Sequence, residues 1–170
     1  NSDKRAKIIQ MLREKKSVVF TSDAGTPLIA DPGYRLVFEA ISNNLHVTGA
    51  PGPSAVLAGL MISGLPTDKF FFGGFIPPKK EAKRQYFMTH LDLPATLIFY
   101  ESALRLVKTL NDLCVLCDNE RQVVVCRELT KKFEDVQRGT LREISKYYAS
   151  AGKVKGEIVL LLSRYLKVAI

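Results

Sequence analysis

Apolar residues recur along the chain with two different periods. Over residues 3–16, Ala6, Ile8, Ile9 and Leu12 fall on one side and lysines and arginines on the other. That spacing predicts an amphipathic helix, with Ser2 or Asp3 as its cap. Val18, Val19 and Phe20 form a short apolar run of the kind a buried strand has, and a Gly/Pro-rich loop, TSDAGTPLIADPG, follows over residues 21–33. Helical spacing returns over residues 34–42 through Leu36, Val37, Ala40 and Ile41, and residues 45–48 predict another short strand. After the turn Ala50-Pro51-Gly52-Pro53, residues 54–63 predict a small apolar helix, with Pro53 suited to its first turn and Gly64 to its stop. Strands alternating with helices indicate a parallel sheet, and short, uniformly apolar strands indicate helices on both of its faces.

Residues 64–68, GLPTD, read as a linker, giving a first domain over residues 1–65 and a second over 66–170. The second domain is expected to hold a strand at 70–75, a basic helix at 79–91 and a strand at 95–100. A helix from about residue 102, strands at 122–127 and 133–138, a helix from 140 and a last strand at 157–163 complete it. The expected fold class is therefore α/β, with a parallel-sheet first domain and a mixed-sheet second domain. The first predicted strand belongs inside a parallel sheet, so further strands are expected ahead of the opening helix.

Hydrophobic residues make up 46% of the 170 and charged ones 25%, an ordinary globular balance that supports a packed core. No apolar run reaches the length of a membrane span, and the first residues lack the pattern of a signal peptide, so a cytoplasmic protein is expected. Of the three cysteines, Cys114 and Cys117 form a C-x-x-C pair and Cys126 stands alone. No second pair or nearby histidine completes a zinc site, and both members of the pair end an apolar helical pattern, so buried structural thiols and no metal are expected. The net charge is +8, and it is uneven: +2 over residues 1–65 and +6 over 66–170. A basic surface favours a polyanionic partner such as RNA.

Candidate chemistry sits in loops beside the predicted strands, where open α/β sheets bind ligands. Ser22-Asp23-Ala24-Gly25-Thr26-Pro27 offers a carboxylate and a glycine that lets a ligand approach the backbone. The dinucleotide and nucleoside-triphosphate signatures are absent. Asp31 either caps the next helix or contacts a ligand, and Arg35 one turn later can reach a phosphate or carboxylate. Small residues at Pro51-Gly52-Pro53-Ser54-Ala55 leave N–H groups and room at a helix start, with Ser54 as cap or ligand contact. Glu101, after Tyr100 at a strand end, is a base, an orienting group or a cap. Arg127, Glu128 and Lys131 cluster after another strand, where unpaired charges are costly. Lys155-Gly156-Glu157 leads into the last strand.

Taken together, SDAGTPLIADPGYRLV, PGPSA, SGLPTDKFFFGGFIPPK, TLIFYES, RELTKKFE and KGEIVLL resemble, in that order, the ribosomal RNA small subunit methyltransferase I family of the tetrapyrrole methylase superfamily. The resemblance runs over nearly the whole chain. It implies two α/β domains with S-adenosyl-L-methionine folded into the cleft between them, a homodimer, and 2′-O-methylation of a cytidine in small-subunit ribosomal RNA. Carried onto this sequence, it implies cofactor contacts from Asp23, Ala24, Gly25, Thr26, Ser54, Ala55, Tyr100, Lys155, Gly156 and Glu157. Arg127 and Lys131 would lie near the cofactor or the RNA. The family's opening TPIGNL loop and EDTR segment are not in this sequence; Ala103-Leu104 stand where Pro-His is usual, and Ala30 where Ser is usual.

Methyl transfer from a sulfonium is an in-line displacement, for which Glu101, Glu128 and Asp31 are the candidate bases. Lys79, Lys80, Lys83 and Arg84 on the basic helix, together with Arg35, are the candidate phosphate contacts. Two rival readings stand beside this one. One is a C-methyltransferase of a small tetrapyrrole, and the other is a non-catalytic RNA-binding module.

Overall fold

A computed structural model describes residues 2–164; the expected domain limits at residues 1 and 170 lie outside them. The chain divides into two compact units, Asn1–Ser54 and Ala55–Ile170.

In the first unit the helices are α1 (Ser2–Arg13) and α2 (Tyr34–Ser42). They are tied side to side by an Arg5–Glu39 ion pair at 3.3 Å and by Arg13 Nη2 donating to Asn43 Oδ1 at 2.6 Å. The two short strands expected at residues 18–20 and 45–48 are not formed: among the described residues of this unit there is no ladder. A strand is held by hydrogen bonds to a neighbour, and these two runs do not pair with each other. Val19 is 84% exposed, so its apolar character marks a surface and not a core position within this chain.

The second unit opens with α3 (Ala55–Ser63) and continues β1 (Phe70–Phe75), α4 (Lys80–His90), β2 (Thr96–Ser102), α5 (Leu106–Leu116), β3 (Gln122–Arg127), β4 (Asp135–Thr140), α6 (Leu141–Ser150) and β5 (Glu157–Leu162). Helix α3, grouped by sequence with residues 1–65, packs on this unit's sheet: Val56 and Leu60 sit among Ile98, Val124, Val159 and Leu161. The helix lies close on the sheet at Gly59, where a Cβ would come into van der Waals contact with Val159 Cγ1 at 3.4 Å. Arg138 on β4 fastens the helix end, donating to Ile62 O from Nη2 at 2.5 Å and Nε at 3.2 Å.

The five strands form one mixed sheet in the order β1-β2-β5-β3-β4, with only β1 and β2 parallel. Side chains alternate between its faces. Leu97, Phe99, Val123, Val125, Leu160 and Leu162 point to the face covered by α4, α5 and α6, where Phe87, Leu106, Leu110, Leu113, Leu141 and Ile144 complete a core. Because α3 covers part of the other face, both sets of strand residues are apolar. This explains strands that read as continuous hydrophobic runs.

Local chemistry sets the element ends. Thr140 accepts from Glu143 N at 3.2 Å, while Glu143 Oε2 accepts from Thr140 N at 2.8 Å, a capping box that starts α6 directly after β4. The strand expected from residue 133 starts at Asp135, because Lys131–Glu134 form a turn closed by Glu134 N donating to Lys131 O at 3.1 Å. The helix expected from 102 starts at Leu106, because Ser102 still pairs with Glu157 in the sheet.

Candidate functional site

In the first unit, the two loops singled out by sequence lie together. Thr26 Oγ1 donates to Pro53 O at 2.8 Å, joining DAGTP to PGPS across 27 residues. Gly25 has φ +72, and a Cβ built on it would lie 4.0 Å from the same Pro53 oxygen. Asp31 does not cap α2. The helix begins after Gly33 with no side-chain cap, and Asp31 Oδ2 instead accepts from Ser22 Oγ at 2.6 Å, across the base of the loop. Leu28 and Ala30 are held at φ 71 and 55. Asp23, Ala24 and Gly25 form the exposed rim of this loop, and Arg35 is exposed on α2.

In the second unit, sheet register brings the remaining candidates to one end. The start of β5 pairs with the end of β2 (Glu101 with Ile158, Ser102 with Glu157) and with the end of β3 (Arg127 with Ile158). Residues 100–102, 127–131 and 155–157 therefore converge although they lie far apart in sequence. Tyr100 packs edge-on against Phe72 and Phe75, with centroids 4.9 and 5.2 Å away; burial, then the Glu157 charge, raises its pKa. Ala55 is half-buried at the start of α3.

Glu128 binds the RELTK loop to the KGE loop. Its Oε1 accepts from Glu157 N at 2.8 Å and from Lys131 Nζ at 3.1 Å, and its own N donates to Glu157 O at 3.0 Å. Lys131 Nζ also reaches Glu157 Oε2 at 2.9 Å. The backbone N–H of Glu157 and then the Lys131 ammonium hold the Glu128 carboxyl below its ordinary range, and Glu157 and Glu128 raise the Lys131 pKa. Four of the six non-glycine residues with positive φ among those described, Leu28, Ala30, Glu128 and Thr130, fall in the two candidate loops. Backbone strain of this kind persists where the surroundings over-determine it, and it concentrates at functional loops.

Two expected roles are corrected. Glu101 is not placed to be a base: its side chain is fully buried, Oε1 lies 2.6 Å from Arg105 Nη2 and accepts from Ser102 N at 2.6 Å, and Oε2 accepts from Thr109 Oγ1 at 2.6 Å. Lys83 is not a phosphate contact. It is 3% exposed, donates to Thr109 Oγ1 at 3.2 Å and forms an ion pair with Asp112 Oδ2 at 2.6 Å. Two carboxylates and two cations thus form one charge-balanced network between β2, α4 and α5, with Glu101 and Lys83 buried and Arg105 and Asp112 partly exposed, and the two buried charges would be costly without their partners. Lys79, Lys80 and Arg84 remain exposed, and Lys80 and Arg84 border a groove of about 420 Å³ with Asp112, Val115 and Leu116. Glu128 Oε1, taken by two donors, clamps the two loops together.

The thiols are structural in their surroundings. Cys126 is buried in the sheet, which pushes its pKa up to about 11, while Cys114 and Cys117 are half-buried against the core. No helix among the described residues is long and apolar enough to cross a membrane.

Residues 1–145 match the model of the Tetrapyrrole (Corrin/Porphyrin) Methylases. The chain belongs to this family. Solved structures with a similar fold include diphthine synthase (TM-score 0.70, 14% identity, 96% of this chain and 66% of that one) and uroporphyrin-III C-methyltransferase from Thermus thermophilus in complex with S-adenosyl homocysteine (TM-score 0.62, 17% identity, 96% and 73%). Curated relatives are nearer in sequence. The Ribosomal RNA small subunit methyltransferase I of Mesorhizobium japonicum is 48% identical over 91% of this chain and 52% of its own length. That of Halalkalibacterium halodurans is 44% identical over 92% and 53%. The chain spans about half the length of these relatives.

Proposed function

We propose that this chain is the greater part of the catalytic region of an S-adenosylmethionine-dependent methyltransferase that modifies the ribose 2′-hydroxyl of a cytidine in small-subunit ribosomal RNA. The observation that carries the reading is identity of 41–48% over nearly the whole chain to relatives named for that RNA. The uneven charge, concentrated in the second part, supports a polyanionic substrate over a small tetrapyrrole. The protein works as a cytoplasmic homodimer on the RNA or the small subunit.

The residues present fit the cofactor. Asp23 offers an exposed carboxylate to amino or hydroxyl donors, and Gly25, at positive φ beside Pro53 O, leaves the backbone open to close approach. Ser54 and Ala55, Tyr100, and Lys155-Gly156-Glu157 are the other assigned contacts. When bound, S-adenosylmethionine supplies an electrophilic methyl group. The Thr26–Pro53 bond holds the two loops of the first unit in register, and the Glu128–Lys131–Glu157 clamp does the same at the sheet end. Alignment of the ribose oxygen carries most of the rate, and no buried carboxylate is needed as a base. Lys79, Lys80, Arg84, Arg35 and Arg127 supply phosphate contacts.

The test has two parts. Calorimetry should show saturable binding of S-adenosylmethionine that the Asp23→Ala variant loses. Incubation with small subunits and methyl-labelled cofactor should place label in a nucleotide whose 3′ linkage resists alkali, as a 2′-O-methyl requires. Label in protein, or in an alkali-sensitive position, would overturn the reading.

A further inference from the structure

We infer that Phe133 is a stacking platform for an unpaired base of the RNA, a role that rests on the RNA reading above and extends it to a residue outside the charged contacts. The turn between β3 and β4 carries Lys131, Lys132 and Phe133 at its tip. Phe133 is 64% exposed, so its ring is accessible from solvent. Lys132 Nζ lies over this ring 5.6 Å from its centroid, a cation–π distance.

The platform is held firmly. Thr130 N donates to Glu134 Oε2 at 2.6 Å, Glu134 N to Lys131 O at 3.1 Å, and Lys131 N to Glu128 O at 3.0 Å. Thr130 takes φ 63 to make the turn. The Glu128 contacts to Glu157 fix this turn to the loop that carries exposed Lys155. An aromatic ring on a pre-ordered turn, flanked by exposed lysines, matches how proteins bind single-stranded RNA: bases stack on aromatic faces while cations follow the phosphates. The ligand class is accordingly an unpaired nucleotide, and duplex RNA, whose bases are already stacked, is disfavoured.

The chain contains no tryptophan, so Phe133→Trp introduces a single tryptophan at the platform, which can be excited apart from the tyrosines. Titration with a single-stranded RNA oligomer should quench its emission, whereas duplex RNA of the same composition or heparin should not. Phe133→Ala should weaken single-stranded RNA binding by about fivefold to about a hundredfold, and Phe133→Tyr should restore it. Circular dichroism confirms that each variant is folded. If the unsubstituted chain binds RNA but Phe133→Ala binds it equally and the tryptophan stays unquenched, the inference fails and the RNA reading stands. If the unsubstituted chain binds no RNA, both fail. If Phe133→Ala keeps its RNA affinity but dissociates a dimer in sedimentation, the ring belongs to a protein interface and the inference is overturned.

Discussion

The side chain of Glu128 lies over the backbone of Gly156. A Cβ at Gly156 would stand 2.5 Å from Glu128 Cγ and 2.7 Å from both Cδ and Oε1, and its φ of +99 already disfavours any other residue. Gly156→Ala therefore meets two separate obstacles, a clash and a strained backbone. It should lower stability by roughly 1–3 kcal/mol in urea denaturation. Adding Glu128→Ala should recover the part due to the clash and leave the part due to φ. Full recovery would mean that the backbone conformation carries no strain.

The Lys83–Asp112 pair separates two kinds of lysine on one helix. Lys83→Met removes one charge from the network that holds Glu101 and leaves Asp112 without its cation, a change expected to cost roughly 3–5 kcal/mol. RNA affinity per folded molecule should be unchanged. Lys80→Ala and Arg84→Ala should do the reverse. Stability should stay within about 0.5 kcal/mol, while the salt dependence of RNA binding should fall by about 0.7 per charge removed. Equal effects from Lys80 and Lys83 on binding would contradict the burial.

Thr26→Val tests the link between the two loops of the first unit. It keeps the shape of the side chain and removes the bond to Pro53 O. Cofactor affinity should drop while the melting transition moves only slightly, a lost hydrogen bond being worth about 1 kcal/mol. Unchanged affinity with an intact fold would show that the loops keep their register without it.

The clamp at the sheet end should respond to pH at both extremes. The Glu128 pKa is depressed in the folded chain, so its contribution is present above the unfolded value and is lost as pH falls through the folded one. The Lys131 pKa is raised, so its contribution is present below the unfolded value and is lost as pH rises through the folded one. Both groups are exposed enough for the effects to be modest. Glu128→Gln should flatten the acid limb of the stability profile and leave the alkaline limb shallower, because one of the two carboxylates facing Lys131 is gone.

Burial of Cys126 in the sheet sets an order of thiol reactivity. At neutral pH a thiol reagent should modify Cys114 and Cys117 well before Cys126, whose thiolate is disfavoured up to a pKa of about 11. Mass spectrometry of the partly labelled native chain reads the order directly. Early labelling at Cys126 would mean that the edge strand β4, which pairs with β3 at Val136, opens readily.

Periodicity and motif spacing sufficed for the α/β class, for the helices near residues 34–42 and 80–90, and for the strands at 122–127 and 157–162, because both faces of the sheet are covered and its strands are apolar throughout. The loops that strain the backbone were also legible, since Gly25, Gly33 and Gly156 mark positions where φ is positive. What the linear pattern could not decide was which charges are inside. Lys83 and Arg84 are neighbours in sequence and both look like cations of a basic helix, yet the helix turns Lys83 onto Thr109 and Asp112 and leaves Arg84 in solvent. Glu101 and Glu128 both stand at strand ends, yet one is sealed among Arg105, Thr109 and the Ser102 N–H, and the other clamps a distant loop. The strands expected at residues 18–20 and 45–48 make the same point from the backbone side. An apolar run states that a segment prefers burial, but a ladder needs a partner at hydrogen-bonding distance, and partners are assigned by the tertiary fold.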